Sequence, residues 1–121
     1  MKRPDSVNIA GTVYRITYVD KPSDVDIFKR ESLWGQIDFW TRTIRIFDDG
    51  TRTAEELLQN VMHEILHGIG QQLHLKMLED EDNHNQLDTL SRILVDVLVR
   101  NGWIEQGIDG RNNQPSSADG A

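Results

Sequence analysis

The 121-residue chain contains no cysteine, which removes disulfides and thiolate metal sites from consideration and is compatible with a reducing cytoplasm. It also has no apolar run approaching the roughly 20 residues of a membrane span. The basic start MKRPDSVNIAG is followed by no hydrophobic segment of signal-peptide length, so a cytoplasmic, unprocessed protein without a membrane partner is expected. Clustered positive charge is missing as well. The formal net charge is −7, Lys and Arg are scattered, and direct nucleic-acid binding is disfavoured because phosphate contacts need a basic patch. The final stretch, EQGIDGRNNQPSSADGA, has almost no apolar content; residues 105–121 are expected to form a disordered tail to which no function attaches.

What is present suffices for one domain, residues 1–104, with 27% charged and 37% hydrophobic residues. Val7 to Asp20 alternates around the turn signal Ala10-Gly11, with Val13, Tyr14, Ile16 and Tyr18 supplying β-branched and aromatic bulk, and reads as a short hairpin. Lys21 to Leu33 is polar and weakly periodic, a loop with room for one helical turn. Ile37 and Phe39, a polar break at Thr41-Arg42, then Ile44 and Ile46 read as a second hairpin closed by Asp48-Asp49-Gly50. The second half is helical. Thr53 and Glu56 have the form of a capping box, and Leu57, Leu58, Val61, Met62, Ile65, Leu66 and Ile69 recur at three- and four-residue steps as far as about Leu73. After the acidic linker KMLEDED, Asp82 or Asn83 can cap a last helix whose buried stripe is expected at Leu87, Leu90, Leu94, Val97 and Leu98, stopped by Asn101-Gly102. The fold class is α+β: a small antiparallel or mixed sheet of two hairpins packed on two helices.

The first long helix carries MHEILHGIGQQLH. Residues four apart lie on one helical face, so His63 and His67 can aim at one cation while Glu64 reaches a bound water without displacing a ligand. That is the physical content of H-E-x-x-H: two metal ligands and a general base on one rigid element. A helix with merely surface-polar histidines is the bland alternative. The apolar residues Ile65 and Leu66 inside the motif argue against it, because they pack it into a core.

An open zinc site needs a third protein ligand. His74 nearly matches the metzincin pattern H-E-x-x-H-x-x-G-x-x-H, with Gly70 at its glycine, but stands one residue late. If the helix runs straight through Gly70, His74 lies about 10 Å along the axis from His67. Glu79 and Glu81 lie in the linker, where a solvated acidic loop is the simpler reading. His84 opens the last helix and Asp88 follows it by four residues, on a stripe with Ser91 and Val95 set apart from the leucines. An antiparallel return of this helix brings its start near the motif, favouring His84 as ligand and Asp88 as alternative ligand or as the carboxylate that holds an imidazole in its tautomer.

With GQIDFWTRTIRI, LLQNVMHEILHGIG and a third ligand opening a helix in that order, the chain resembles the zincin-type domain of the ImmA/IrrE metallopeptidases, small proteins common in phages and prophages. Relatives present the third ligand as a glutamate in E-x-x-A-[DN]-x-[FL]. HNQLDTL occupies that frame, with His84 at the glutamate, Asp88 at [DN] and Leu90 at the apolar position. The resemblance spans about Gly35 to Gly102 and implies a zincin-like fold, Zn2+ held by His63, His67 and His84, Glu64 as catalytic base, and a protein or peptide substrate. Histidine in place of glutamate is a departure that leaves the site more positive.

The activity expected is metal-dependent endopeptidase cleavage. The strand Thr43 to Phe47 is expected to offer an edge to an extended substrate; Trp34, Phe39 and Trp40 either line the cleft or, more commonly for such residues, belong to the core. Two other classes fit the residues: a non-catalytic regulatory protein in which both His84 and Asp88 bind a structural metal, and hydrolysis of a non-peptide bond.

Overall fold

Ala10 and Gly11 take φ values of 50° and 96°, the left-handed pair that a two-residue hairpin turn requires, and Asn8 Oδ1 accepts a hydrogen bond from Gly11 N. This turn joins β1 (Ser6–Ile9) to β2 (Thr12–Val19). In the computed structural model, which describes residues 3–27, 33–79 and 84–104 with the His84 side chain excluded, β3 (Gly35–Asp38) and β4 (Thr43–Phe47) form the second hairpin. Its turn lies at 39–42, where Arg42 has φ 54° and the Asp38 carboxylate accepts from Trp40 N and Thr41 Oγ1. Asp48-Asp49-Gly50, expected to close that hairpin, leads instead into the first helix.

The two hairpins merge into one mixed sheet of order β1-β2-β4-β3. β2 and β4 pair in parallel, Ile16 opposite Ile44 and Tyr18 opposite Ile46. The connection between the hairpins contains a 3-10 turn at Pro22–Asp24. This pairing corrects the expectation that Thr43–Phe47 is an exposed edge: β4 is hydrogen-bonded on both sides, and β3 is the edge beside it.

The helix α1 (Ala54–Leu73) starts and stops where its sequence says. Thr53 accepts from Glu56 N at 3.1 Å while Glu56 Oε1 accepts from Thr53 N at 2.9 Å, a reciprocal cap that satisfies two of the donors a helix start leaves open. At the other end His74, at φ 56°, directs its N–H to Gly70 O. One face of α1 lies on the sheet, where Leu57 and Val61 join Ile9, Tyr14, Ile16, Ile44 and Ile46 in the main core. Its far side packs against α2 (Lys76–Glu79) and α3 (His84–Arg100) through Leu66, Leu78 and Leu87. The linker read as KMLEDED thus contains a short helix. α1 is the middle layer, and groups on it are screened from water on two sides.

The buried stripe of α3 differs from expectation. Leu87, Ser91, Val95 and Val99 are buried, whereas Leu90, Ile93 and Val97 are exposed. Ser91 can turn inward because its hydroxyl donates to Leu87 O at 2.6 Å, so its polarity is satisfied within the helix. The rotated helix brings Asp88 toward α1. The cap at Asp82 or Asn83 and the tail at 105–121 fall outside the described residues. No helix among the described residues is long and apolar enough to cross a membrane.

Candidate metal and catalytic site

His63 and Glu64 are each 7% exposed, an unusual fate for such side chains. The imidazoles of His63 and His67 stand one turn apart with ring centroids 4.9 Å from each other. His67 Nδ1 is hydrogen-bonded to a neighbouring helix, and His63 Nδ1 has a carboxylate nearby, just beyond hydrogen-bond distance. His67 Nδ1 lies 3.0 Å from Leu78 O on α2, and His63 Nδ1 lies 3.7 Å from Asp88 Oδ1 on α3. When Nδ1 donates to such an acceptor, the ring lone pair resides on Nε2, the arrangement by which proteins orient histidines for metal binding.

One of the two helical glycines of HGIG explains how Leu78 O comes so close to His67. A Cβ on Gly70 would stand 2.8 Å from Leu78 Cβ and 3.0 Å from Leu78 C, and one on Gly68 would stand 2.7 Å from Ile9 Cδ1. Gly70 lets the backbone of α2 settle against α1, which presents the Leu78 carbonyl to His67. Gly68 lets the sheet settle on the opposite side.

Glu64 is covered by the edge strand. Trp34 O accepts from Phe47 N at 2.9 Å and Gly35 stands opposite Ile46; the alternation of an antiparallel pair then turns the main-chain groups of Gly35 and Ile37 away from β4. Burial, the larger effect, pushes the Glu64 pKa up to about 8, while the nearby Ile37 N–H acts to lower it. A Cβ on Gly35 would lie 3.0 Å from Glu64 Oε2. Glycine here is a matter of space for the carboxylate.

A groove follows α1 between β3 on one side and α2 and α3 on the other. Its central cleft of about 410 Å³ is lined by Gly35, Ile37, Phe39, His63, Glu64, His67, Gln71 and Glu79, among others. Gly35, His63 and Glu64 also line a recess of about 200 Å³ with Trp34, Asn60 and Asp88, which adjoins one of about 490 Å³ holding Arg52, Glu56, Gln59 and Arg92. A larger cleft of about 770 Å³ around Arg3, Tyr18, Asp48 and Leu57 contains none of the H-E-x-x-H residues. Volume alone therefore does not locate the chemistry; the convergence of imidazoles and a buried carboxylate does.

Of the residues singled out in the sequence, His63, Glu64, His67 and Glu79 line the central cleft, and Asp88 lines the adjoining recess. His84 is the first residue of α3, one turn before Asp88 on the same face, with its side chain outside the described residues; Glu81 is outside them altogether. His74 sits exposed at the C-cap of a helix that runs straight through Gly70 and is not among the groove residues. Trp34 and Phe39, expected mainly as core, are 61% and 38% exposed and line the groove; Trp40, at 94%, projects from the hairpin turn. Among the described residues no three His, Asp or Glu side chains are gathered as a complete metal site. Sequence reading missed Gly35, the Ile37 N–H and the Leu78 carbonyl, main-chain roles that side-chain chemistry does not announce. It also missed a visible signal: Glu56, Asn60, Glu64, His67 and Gln71 repeat at three or four residues, a polar stripe along an otherwise apolar helix. Comparison with protein families, curated proteins and solved structures found no match to this chain.

Proposed function

We propose that the chain is a zinc-dependent endopeptidase of the H-E-x-x-H type. The observation that carries this reading is the pairing of two imidazoles one helical turn apart, His67 held through Nδ1 by Leu78 O and His63 with the Asp88 carboxylate 3.7 Å from Nδ1, with a buried carboxylate beneath an edge strand. Surface histidines need no such orientation. Two imidazoles one turn apart are donors suited to zinc: His63 and His67 would hold it through Nε2, with His84 as the proposed third ligand and Asp88 and His74 as the alternatives. Asp88 is better suited to orienting His63, since its carboxylate already faces that ring. Bound zinc supplies Lewis-acid polarisation of the scissile carbonyl and a water of lowered pKa.

The rest of the chemistry belongs to the chain. With a cation beside it to favour its ionised form, Glu64 would take the proton from the attacking water and deliver it to the leaving amine, and its neighbours Gly35 and Ile37 keep it in one position. The outward main-chain groups of β3 accept an extended peptide as an added strand, with Trp34 and Phe39 at its two ends. Purified protein is expected to bind one zinc per chain. Glu64→Gln is expected to retain zinc while hydrolysis of a mixed peptide substrate falls by about 10²- to 10⁴-fold. Failure to bind zinc, or full activity in the Glu64→Gln protein, overturns the reading.

A further inference from the structure

The groove continues past Glu64 toward Trp34, and the recess there contains a guanidinium held in an unusual way. Arg52 donates to Phe47 O at 2.7 Å and to Asn60 Oδ1, and stacks on the Trp34 ring at 4.6 Å from its centroid. All of these partners are neutral. Arg52 forms no ion pair among the described residues, although it is half-buried and burial presses its pKa down. Both carboxylates of the recess are engaged elsewhere. Glu56 caps α1 through Thr53, and Asp88 lies between His63 and Arg92. Glu56, Asp48 and Asp49 act on Arg52 through space without pairing with it, so the guanidinium can still form a direct pair with an incoming anion, and the planar fork of arginine suits a carboxylate.

Position narrows the identity of that anion. Asn60, which holds Arg52, precedes Glu64 by one helical turn, about 6 Å along the axis. An extended peptide advances about 3.3 Å per residue, so a chain lying on β3 with its scissile bond at Glu64 brings its second residue or so to Arg52. We propose that Arg52 selects substrates with a carboxylate within about two residues of the scissile bond on the Trp34 side. This inference rests on the peptidase reading for the position of the bond, and on the recess alone for the choice of carboxylate. The carboxylate is either an Asp or Glu side chain or the terminal carboxylate of the peptide.

The experiment uses full-length zinc-loaded protein and matched peptides in which Glu alternates with Gln at each position, with amidated or free C-termini, the products being mapped by mass spectrometry. Wild-type protein is expected to favour Glu over Gln by about 10-fold or more on one side of the cut, the scale of a hydrogen bond to a charged group. That ratio is expected to fall to about 1 in Arg52→Gln and to decrease partially in Arg52→Lys, which keeps the charge but not the fork and serves if the glutamine variant does not fold. A preference that follows the free C-terminus instead identifies the terminal carboxylate as the group read. Equilibrium binding of the same peptides to the Glu64→Gln protein separates the two claims. Tighter binding of Glu peptides without any hydrolysis by wild type supports carboxylate recognition and overturns the peptidase reading, whereas equal binding and cleavage of Glu and Gln peptides, or a preference unchanged in both Arg52 variants, overturns the role of Arg52.

Discussion

At the residue scale, Gly68 and Gly70 differ in what a methyl group would meet. In a helix interior, Gly to Ala ordinarily gains up to about 1 kcal/mol from backbone entropy and propensity. At Gly70 the new Cβ meets backbone, Leu78 C at 3.0 Å, so α2 has to move and the Leu78 carbonyl withdraws from His67 Nδ1. Gly70→Ala is therefore expected to reverse the propensity gain, with a net destabilisation of about 1–3 kcal/mol in urea denaturation. Its zinc affinity should drop by about 10- to 100-fold in competition with a chromophoric chelator, the usual penalty for removing a group that orients a ligand histidine. At Gly68 the nearest atoms are the ends of flexible side chains on the sheet, Ile9 Cδ1 and Ile37 Cδ1. Gly68→Ala should disturb stability while leaving zinc affinity within about 3-fold of wild type, because its strain is relieved on the sheet side. Equal zinc affinities in the two variants would mean that the Leu78 carbonyl does not hold His67.

At the scale of elements, legibility depends on whether a signal is local. The α1 boundaries were readable because the Thr53–Glu56 box and the three-four periodicity are properties of one segment. Thr53→Ala is expected to cost about 1 kcal/mol. Bonds from Thr53 hold the Glu56 carboxyl below its ordinary 4.5, so the unfolded chain binds this proton more readily than the native one. The contribution is present above about pH 4.5 and is lost as pH falls through the lower native value. A stability profile of wild type against Glu56→Gln should converge on the acid side, and divergence there would remove the cap as the cause. Pairing between hairpins was not readable, because the parallel contact of β2 with β4 joins residues about 28 positions apart and leaves no periodic trace. The α3 stripe misled for another reason. Counting leucines favoured a face through Leu90 and Val97, whereas α1 accepts the face of Leu87, Ser91 and Val95, where a small side chain permits close approach. Leu87→Ala should cost about 2–5 kcal/mol, and Leu90→Ala, 38% exposed, about 1 kcal/mol or less. The other stripe the sequence offers, with Asp88, Ser91 and Val95, is the one turned to α1: Ser91 and Val95 are buried and Asp88 stands 3.7 Å from His63 Nδ1.

For the whole molecule, the site is assembled around α1 from three sides: β3 supplies cover for Glu64, α2 orients His67, and α3 brings Asp88 toward His63. A metal bridging α1 to the start of α3 would add a tie between those two helices, in a chain of a size at which cores leave little margin. Zinc binding to the native state alone stabilises it by about 4 kcal/mol at a free concentration a thousandfold above Kd, so the midpoint of thermal unfolding should rise with zinc and fall with a chelator. This coupling also identifies the third ligand without any knowledge of the substrate. His84→Ala should abolish most of the zinc-dependent rise, since the metal would then no longer join α3 to α1. His74→Ala should leave it intact, because His74 lies about 10 Å further along the axis of a straight α1 than His67. Asp88→Asn should give an intermediate result if Asp88 orients His63, and a loss as complete as that of His84→Ala if it binds the metal itself. A zinc-dependent rise that survives His84→Ala and disappears in His74→Ala would require α1 to break at Gly70 on metal binding, and would reassign the third ligand to the motif helix.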